Sequence, residues 1–394
     1  MTPAARLSAA IALMDDILAG APAEKVLVRW ARQSRFAGSR DRAAIRDIVF
    51  DILRRRRSLA WIGGAETGRA MVIAHQRGEG EDLDTLFTGD GYAPDALTDA
   101  ERAIDPDRLA EAPLDVRLDV PAFLLPELRR SLGDDLEPVL TIMQSRAPVD
   151  LRVNPLRGTV SGAKVMLAQE GIGAEEIAAV PGALRVLENP RRVAGSRAYR
   201  SGLVELQDAS SQQVTRFARP EAGMTVLDYC AGGGGKTLAL AALMGGQGRI
   251  IAHDGNPRRM KDLPERASRA GAKVELRDTA SLEATPPRCD LVLVDAPCSG
   301  SGAWRRNPDG KWTLTAKDME KLLVLQARIL DAACAYVKPG GSLTFATCSL
   351  MACENRDQVD AFRARHPDFT IEDDLVLTPK DGGDGFYAAR MRRG

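Results

Sequence analysis

Two cysteines draw attention because each follows a short, strongly apolar, β-like run. Asp-Ala-Pro-Cys-Ser-Gly-Ser-Gly occupies 295–302 behind the run 291–294, and Thr-Cys-Ser occupies 347–349 behind the run 342–346. A parallel sheet delivers the residues that follow its strands to one active edge, so Cys298 and Cys348 are expected to share one mouth. A free thiol with a pKa of about 8.5 is only slightly ionised at neutral pH. A pocket that uses one as a nucleophile must therefore lower that value or supply a base.

A second constellation lies upstream, where Asp-Tyr-Cys-Ala-Gly-Gly-Gly-Gly-Lys-Thr fills 228–237 between an expected strand and an expected helix. Gly232, Gly233, Gly234 and Gly235 let the backbone approach a ligand and leave helix N-terminal amides pointing at it. Three ligand classes compete for such a loop. A phosphate-binding P-loop would need glycine at the position of Cys230, and a dinucleotide fingerprint lacks its third glycine. What remains is an acidic residue, Asp228, with small residues at 230, 232 and 234, the spacing of S-adenosylmethionine-binding loops in doubly wound methyltransferases. On that reading the cofactor lies against Cys230, Ala231, the four glycines, Lys236 and Asp295. Asp254, about 26 residues after Asp228 at the end of the next strand, is placed for ribose hydroxyls, and Asp278, at the end of the third, for the adenine amino group.

The elements that must position these residues follow from periodicity. Strands are expected over 225–230, 249–253, 273–276, 289–294 and 342–346, alternating with helices over 236–244, 258–270, 318–337 and 354–365. That alternation implies a parallel, doubly wound sheet with ligands at its carboxyl edge. Residues 113–206 mix a helical stretch over 121–145 with short strands over 149–153, 174–180 and 184–186, an α+β subdomain. The first 112 residues read as an α-helical domain, with Leu7, Ile11, Met14 and Leu18 on one face and Ile45, Ile48, Val49, Ile52 and Leu53 repeating the pattern. The catalytic domain then spans 207–394.

Composition limits the partners. Lysine plus arginine equals aspartate plus glutamate at 54 each, so any nucleic-acid surface is local. Residues 1–60 carry 12 basic and 6 acidic side chains, ending in Arg54, Arg55, Arg56 and Arg57, whereas 61–112 carry 4 and 12. The arginine run reads equally as a dipole-stabilised helix end and as an RNA-phosphate contact. Six cysteines without a CxxC pair, and three histidines without ligand spacing, argue against a disulfide framework and a metal site. A reducing cytoplasm is the expected location. No apolar run approaches the roughly eighteen residues of a membrane span.

These motifs resemble the Nop/Sun RNA cytosine-C5 methyltransferases. The 295–302 octapeptide is similar to the family's catalytic-aspartate motif, and 347–349 with Glu354 and Asn355 to its nucleophile motif. Further similar blocks are Arg152 to Asn154, Gln207 to Gln212, Arg306 to Asp309 with Trp312, and Asp384 to Ala388. The resemblance runs from about Pro121 to the C-terminus. The N-terminal segment around Arg40 to Arg42 is similar to the NusB-like RNA-binding domain of the bacterial 16S rRNA member. Two departures stand out: the usual Ala-Pro-Gly-Gly-Lys loop is Gly-Gly-Gly-Gly-Lys at 232–236, which removes a stiffening proline, and Glu-Asn-Glu becomes Glu-Asn-Arg at 354–356.

The resemblance implies a Rossmann-like methyltransferase domain, preceded by an all-α NusB-like domain and a small α+β subdomain, that methylates cytosine C5 in RNA, with 16S rRNA first and tRNA second. It assigns Cys348 as the nucleophile that adds at C6, Cys298 to elimination and product release, and Asp295 to the base near N3 and the amino group, with Lys236 placed to orient Asp295 or the pocket. In DNA-directed relatives the Pro-Cys cysteine attacks, so exchanged roles for the two thiols stay open. The target base must leave its stack to enter such a pocket. Trp304, Arg305, Arg306 and Trp312 read equally as an RNA clamp and as packing residues. Rival readings are a catalytically silent RNA-binding or assembly protein and a small-molecule methyltransferase; the second needs neither thiol nor a basic helical domain.

Overall fold

The computed structural model describes residues 1–394, which pack as two units. One holds residues 1–129, 133–146 and 304–314, and the other holds 130–132, 147–303 and 315–394.

The first unit is helical because its apolar residues recur every three or four positions. Helices α1 (Pro3–Leu18), α2 (Ala23–Gln33), α3 (Ser39–Arg54), α4 (Arg56–Gly63) and α5 (Gly68–Gly78) enclose a core that includes Leu7, Met14, Ile45, Ile52, Leu53, Met71 and Ile73. Helix α1 starts where the Thr2 hydroxyl accepts from the Ala5 amide, with Pro3 in the first turn, where its missing N–H costs nothing.

The arginine run is committed inside this unit. Arg54 is 6% exposed, pairs with Asp51, and donates Nε–H to the Arg305 carbonyl at 2.6 Å. Arg55 pairs with Glu79, Arg56 with Glu66, and Arg57 with Asp115 and the Val120 carbonyl. These contacts favour a scaffolding role over a phosphate-binding one. The 304–314 segment resolves in the same direction. Trp304 and Arg305 are each 3% exposed, and Trp312 donates its indole N–H to the Leu53 carbonyl at 2.6 Å. Lys311 donates to the Arg54 carbonyl at 3.1 Å, and the Asp309 carboxylate accepts from the Ala23 amide at the start of α2.

One buried carboxylate organises this packing. Asp119, in the left-handed region at φ 53°, accepts from the amides of Arg57 and Ser58, the Ser58 hydroxyl at 2.7 Å and the Gln144 side-chain amide at 2.8 Å. Burial pushes its pKa up. Burial also lowers the Lys311 ammonium to about 8, with Asp119 opposing the shift and Arg54 adding to it.

The second unit contains two sheets. Strands β1 (Val149–Val153), β2 (Ala174–Glu176), β3 (Ala183–Val186) and β4 (Val204–Leu206) form an antiparallel sheet in the order β2-β3-β1-β4. Strands β5 (Thr225–Asp228), β6 (Arg249–Ala252), β7 (Glu275–Leu276), β8 (Cys289–Asp295) and β9 (Val337–Thr347) are parallel, and β10 (Phe369–Leu377) and β11 (Phe386–Arg393) form an antiparallel hairpin beside β9. The order β10-β11-β9-β8-β5-β6-β7 gives the Rossmann-like sheet that the sequence implies. The chain runs outward from β5 to β7 and then returns to the other side of β5. The topological switch point therefore lies between β5 and β8, where a doubly wound sheet opens its ligand crevice.

Several of the supporting sequence blocks turn out to be joints within this unit. Buried Arg152 donates to the Gln207 side chain at 2.7 Å, and Asn154 donates to the Gly202 and Ala270 carbonyls. Asp208 caps the helix Ala209–Phe217 and accepts from the Asp384 amide.

Replacing Asp119 by alanine leaves four donors and the buried Lys311 without this carboxylate. We expect Asp119→Ala to cost about 3–5 kcal/mol, as for removal of one member of a buried charged network. All four tryptophans, Trp30, Trp61, Trp304 and Trp312, lie in this unit, so tryptophan fluorescence during urea unfolding of the intact protein reads it directly. A loss below about 0.5 kcal/mol, ordinary for a surface change, would contradict the assignment.

Candidate active site

Strands β8 and β9 are neighbours in register, Asp295 opposite Ala346, so the loops that follow them leave the sheet side by side. Backbone bonds keep them together: Ala296 N–H to the Ala346 carbonyl at 2.8 Å and Gly302 N–H to the Cys348 carbonyl at 2.9 Å. The consequence is thiol contact. Cys298 Sγ and Cys348 Sγ lie 3.4 Å apart, both partly buried and neither in a disulfide. Their shared hydrogen bond, then burial, the charge of Cys348 and the Glu354 carboxylate push the Cys298 thiol well above its ordinary range.

Lys236 stands at the start of the helix Gly235–Leu243 and donates Nζ to Asp295 Oδ2 at 2.7 Å, with the Phe386 ring 5.0 Å from the ammonium. Burial alone would lower this ammonium. Asp295, by charge and hydrogen bond, outweighs burial, and Cys348 and Asp228 add to it, so the net shift is upward. Asp228 at the end of β5 is 1% exposed. Its Oδ2 accepts from Thr237 at 2.7 Å, and its Oδ1 is buried without a partner. Burial raises its pKa to about 7, with Asp295 and Asp254 adding and Thr237 and Lys236 opposing.

The glycine loop connects β5 to that helix. Gly232 and Gly234 adopt φ of 52° and 86°, and a Cβ at Gly234 would sit 2.1 Å from Leu263 Cδ1, so only glycine fits there. Ala231 donates to the His253 carbonyl and accepts from the Gly234 amide. Burial foremost pushes the Cys230 thiol far up. Asp254, 3% exposed, accepts from the amides of Gly232 at 2.9 Å and Asn256 at 2.8 Å and pairs with Arg259 at 3.3 Å. Asp278 is exposed and caps the helix Thr279–Ala284 through the Ser281 amide. The structure thus brings together Cys298, Cys348, Asp295 and Lys236, sets Asp254 beneath the glycine loop, and places Asp278 at a helix end. Cys289 and Cys334 are buried thiols raised, mainly by burial, to about 12 and about 11.

One part of the site escaped the sequence reading except as a motif letter. Glu354 is fully buried and accepts from the Ser299 amide at 2.8 Å, the Ser299 and Ser349 hydroxyls at 2.5 Å each, and Gln326 Nε2 at 3.0 Å. Its only signal in the sequence is an acid that closes the otherwise uncharged stretch 347–353. No group of histidines, cysteines and acids is arranged to hold a metal ion, and no helix is long and apolar enough to cross a membrane.

Known proteins match this chain over both sheets. Residues 216–392 match the family described as 16S rRNA methyltransferase RsmB/F, and residues 120–194 match the RsmF/B-like ferredoxin-like domain. Ribosomal RNA small subunit methyltransferase B of Salmonella newport (strain SL254) is 33% identical over 289 residues, covering 70% of this chain and 67% of that protein. Among solved structures, PH0851 aligns over 100% of this chain and 99% of its own at a TM-score of 0.77 and 23% identity. NSun6 from Pyrococcus horikoshii, in its structure with SFG, aligns over 69% of this chain and 98% of its own at a TM-score of 0.62 and 19% identity. At these identities the two structural likenesses speak to the fold.

Asp228 gives a pH prediction with a definite sign. Its folded pKa of about 7 lies above the usual 3.8, so between those values the unfolded chain releases a proton that the folded chain keeps. Stability is therefore lost as pH rises through that window. Asp228→Asn has no such loss, so the melting temperature of the variant minus that of wild type should grow from pH 4 to pH 7 and then level off. A difference independent of pH would show that the buried carboxylate does not titrate there.

Proposed function

The chain belongs to the RsmB/F family of 16S rRNA methyltransferases, and on that premise we propose that it methylates C5 of a cytosine in 16S rRNA through a covalent cysteine adduct at C6. The observation that carries this reading is the 3.4 Å approach of Cys298 and Cys348 beside the Lys236–Asp295 pair. A methyltransferase acting on an already nucleophilic atom needs no thiol, whereas cytosine C5 becomes nucleophilic only after a thiolate adds at C6.

The crevice suits S-adenosylmethionine. Left-handed Gly232 and Gly234 keep side chains out of the loop, and the amides of the following helix open toward the crevice at the switch point. The residues that would hold the cofactor are Cys230, Ala231, Gly232, Gly233, Gly234, Gly235, Lys236, Asp254, Asp278 and Asp295. Arg259 now covers Asp254 and lies 3.2 Å from where a Gly232 Cβ would be, so ribose contact by Asp254 requires this exposed arginine to swing aside. When bound, the cofactor supplies a methyl group on a sulfonium, an electrophile for C5. The SFG of the NSun6 structure, an analogue of this cofactor, supports the same choice.

The chain's own residues do the rest. Cys348 as thiolate forms the S–C6 bond, and the ring electrons move to C5. Asp295 accepts from the cytosine amino group near N3 and holds the base in place for attack, while Lys236 fixes the direction of that carboxylate and offsets its charge. After methyl transfer the C5 proton leaves to a base, the S–C6 electrons return to Cys348, and the product is 5-methylcytosine. Cys298, in contact with Cys348, assists this elimination and release.

The helical unit is assigned to RNA. Between residues 25 and 46 it carries seven cations and one acid. Lys25, Arg32, Arg35 and Arg40 are exposed, next to Phe36 at 76% exposure. Phe36, Trp30 and Tyr92 line a groove of about 560 Å³, a stacking surface for unpaired bases.

Two experiments test these assignments. With labelled S-adenosylmethionine and undermethylated 16S rRNA, Cys348→Ala should give no methylated product, and Cys298→Ala should accumulate a covalent RNA adduct on a denaturing gel. Normal transfer by Cys348→Ala would refute the nucleophile, and labelling of tRNA alone would move the substrate assignment. Combined Lys25→Ala, Arg32→Ala and Arg35→Ala should lower RNA affinity and flatten its salt dependence by about 2–3 in log-log slope, because each phosphate left without its cation removes roughly 0.7–0.9 from that slope. An unchanged slope would remove this face from the RNA surface.

A further inference from the structure

We infer that Glu354 is a positioning residue that ties the two cysteine loops to each other and keeps the negative charge of the thiol pair on Cys348. The inference rests on the two-thiol reading above and extends it to a residue that touches neither the base nor the cofactor.

The geometry comes first. Glu354 Oε1 accepts from the Ser299 amide, one residue beyond Cys298, and from Gln326, which also donates to the Pro297 carbonyl at 3.0 Å. Its Oε2 accepts from the hydroxyls of Ser299 and of Ser349, one residue beyond Cys348. Ser349 is also 3.0 Å from the Ser301 hydroxyl and accepts from the Met351 amide, and Ser301 accepts from the Leu350 amide. Asn355 completes the set, its Nδ2 donating to the Ser349 carbonyl and its Oδ1 accepting from Thr347. One acceptor-only carboxylate thus joins two loops, reaching 55 residues back along the chain to Ser299, and no cation is bonded to it.

The electrostatics follow. The charged groups around the thiols are Glu354, Lys236, Asp295 and, behind Lys236, Asp228. After the shared hydrogen bond, burial and the charge of Cys348, the Glu354 carboxylate disfavours a thiolate on Cys298. Between Lys236 and Cys348 the sign is opposite: ammonium attracts thiolate, which raises the Lys236 pKa. Of the two sulfurs in contact, Cys298 is therefore the one kept as S–H and Cys348 the one free to attack.

The test reads each thiol separately and needs neither RNA nor methyl transfer. The full-length protein is treated briefly with iodoacetamide between pH 6 and 10, and peptide mass spectrometry gives the carbamidomethylation rate of Cys298 and of Cys348. In wild type we expect Cys348 to react at least about tenfold faster than Cys298 at pH 7.5, because Cys298 is the thiol held as S–H. In Glu354→Gln, which keeps the shape and removes the charge, the Cys298 profile should move to lower pH, so that its rate at pH 7.5 rises toward that of Cys348. Faster reaction of Cys298 in wild type would overturn the inference whether or not the variant folds. An unmoved Cys298 profile in a folded Glu354→Gln would overturn it as well, leaving Glu354 a purely structural group. Failure of the methylation reading shows elsewhere, in product formed by Cys348→Ala, and leaves these titrations readable.

Discussion

Adjacent parallel strands lie about 4.8 Å apart, and whatever follows them at the carboxyl edge is held at nearly that spacing before any side chain contributes. In this protein β8 and β9 are such neighbours, and the residues at and just past their ends are Asp295 and Cys298 on one and Cys348 on the other. The thiol contact follows from the register of the sheet. Everything else in the site depends on that contact: Lys236 reaches Asp295 from the helix that follows β5, and the Glu354 carboxylate holds the two loops from behind.

A site of this kind must keep two similar sulfurs chemically distinct at contact distance. Charge provides the distinction. On one side Lys236 is drawn in by Asp295 and Asp228, and on the other the Glu354 carboxylate is satisfied by hydroxyls and amides rather than by a cation. Asp228 is the least comfortable member, fully buried with one oxygen unpartnered. That oxygen lies at the switch point, at the end of β5 beside the glycine loop. The helical unit handles buried charge in a comparable way. There the Asp119 carboxylate serves as a cap and offsets Lys311, so the 304–314 segment, which leaves the chain just after the Cys298 loop, is built into the helical core.

The parallel core was legible because strands buried on both faces are continuous apolar runs, and the candidate site lies where those runs stop, at Asp228, Asp295 and Thr347. The hairpin β10–β11 did not enter the strand alternation. Glu372, Asp373 and Asp374 interrupt the apolar pattern of β10, which as an edge strand tolerates exposed charge that a central strand does not. The arginine run was ambiguous for a different reason. Sequence shows four cations, but the acids of three of them, Glu79, Glu66 and Asp115, become partners only through the fold. The same holds for Trp312, whose indole acceptor on Leu53 lies 259 residues away. The Glu354 network was hidden likewise, since Ser299 and Ser349 are ordinary serines until the register of β8 and β9 brings them to one carboxylate.

The central claim is that of two contacting thiols only Cys348 bonds to the base, and mapping the bond itself tests this most directly. Ribosomal RNA made with 5-azacytidine, which has nitrogen in place of C5 and so no proton to lose there, traps the adduct on the wild-type enzyme. Nuclease and protease digestion followed by mass spectrometry then identifies the modified peptide. The two-thiol mechanism predicts the nucleotide on Cys348, with Cys298 unmodified. A nucleotide on Cys298 would contradict it.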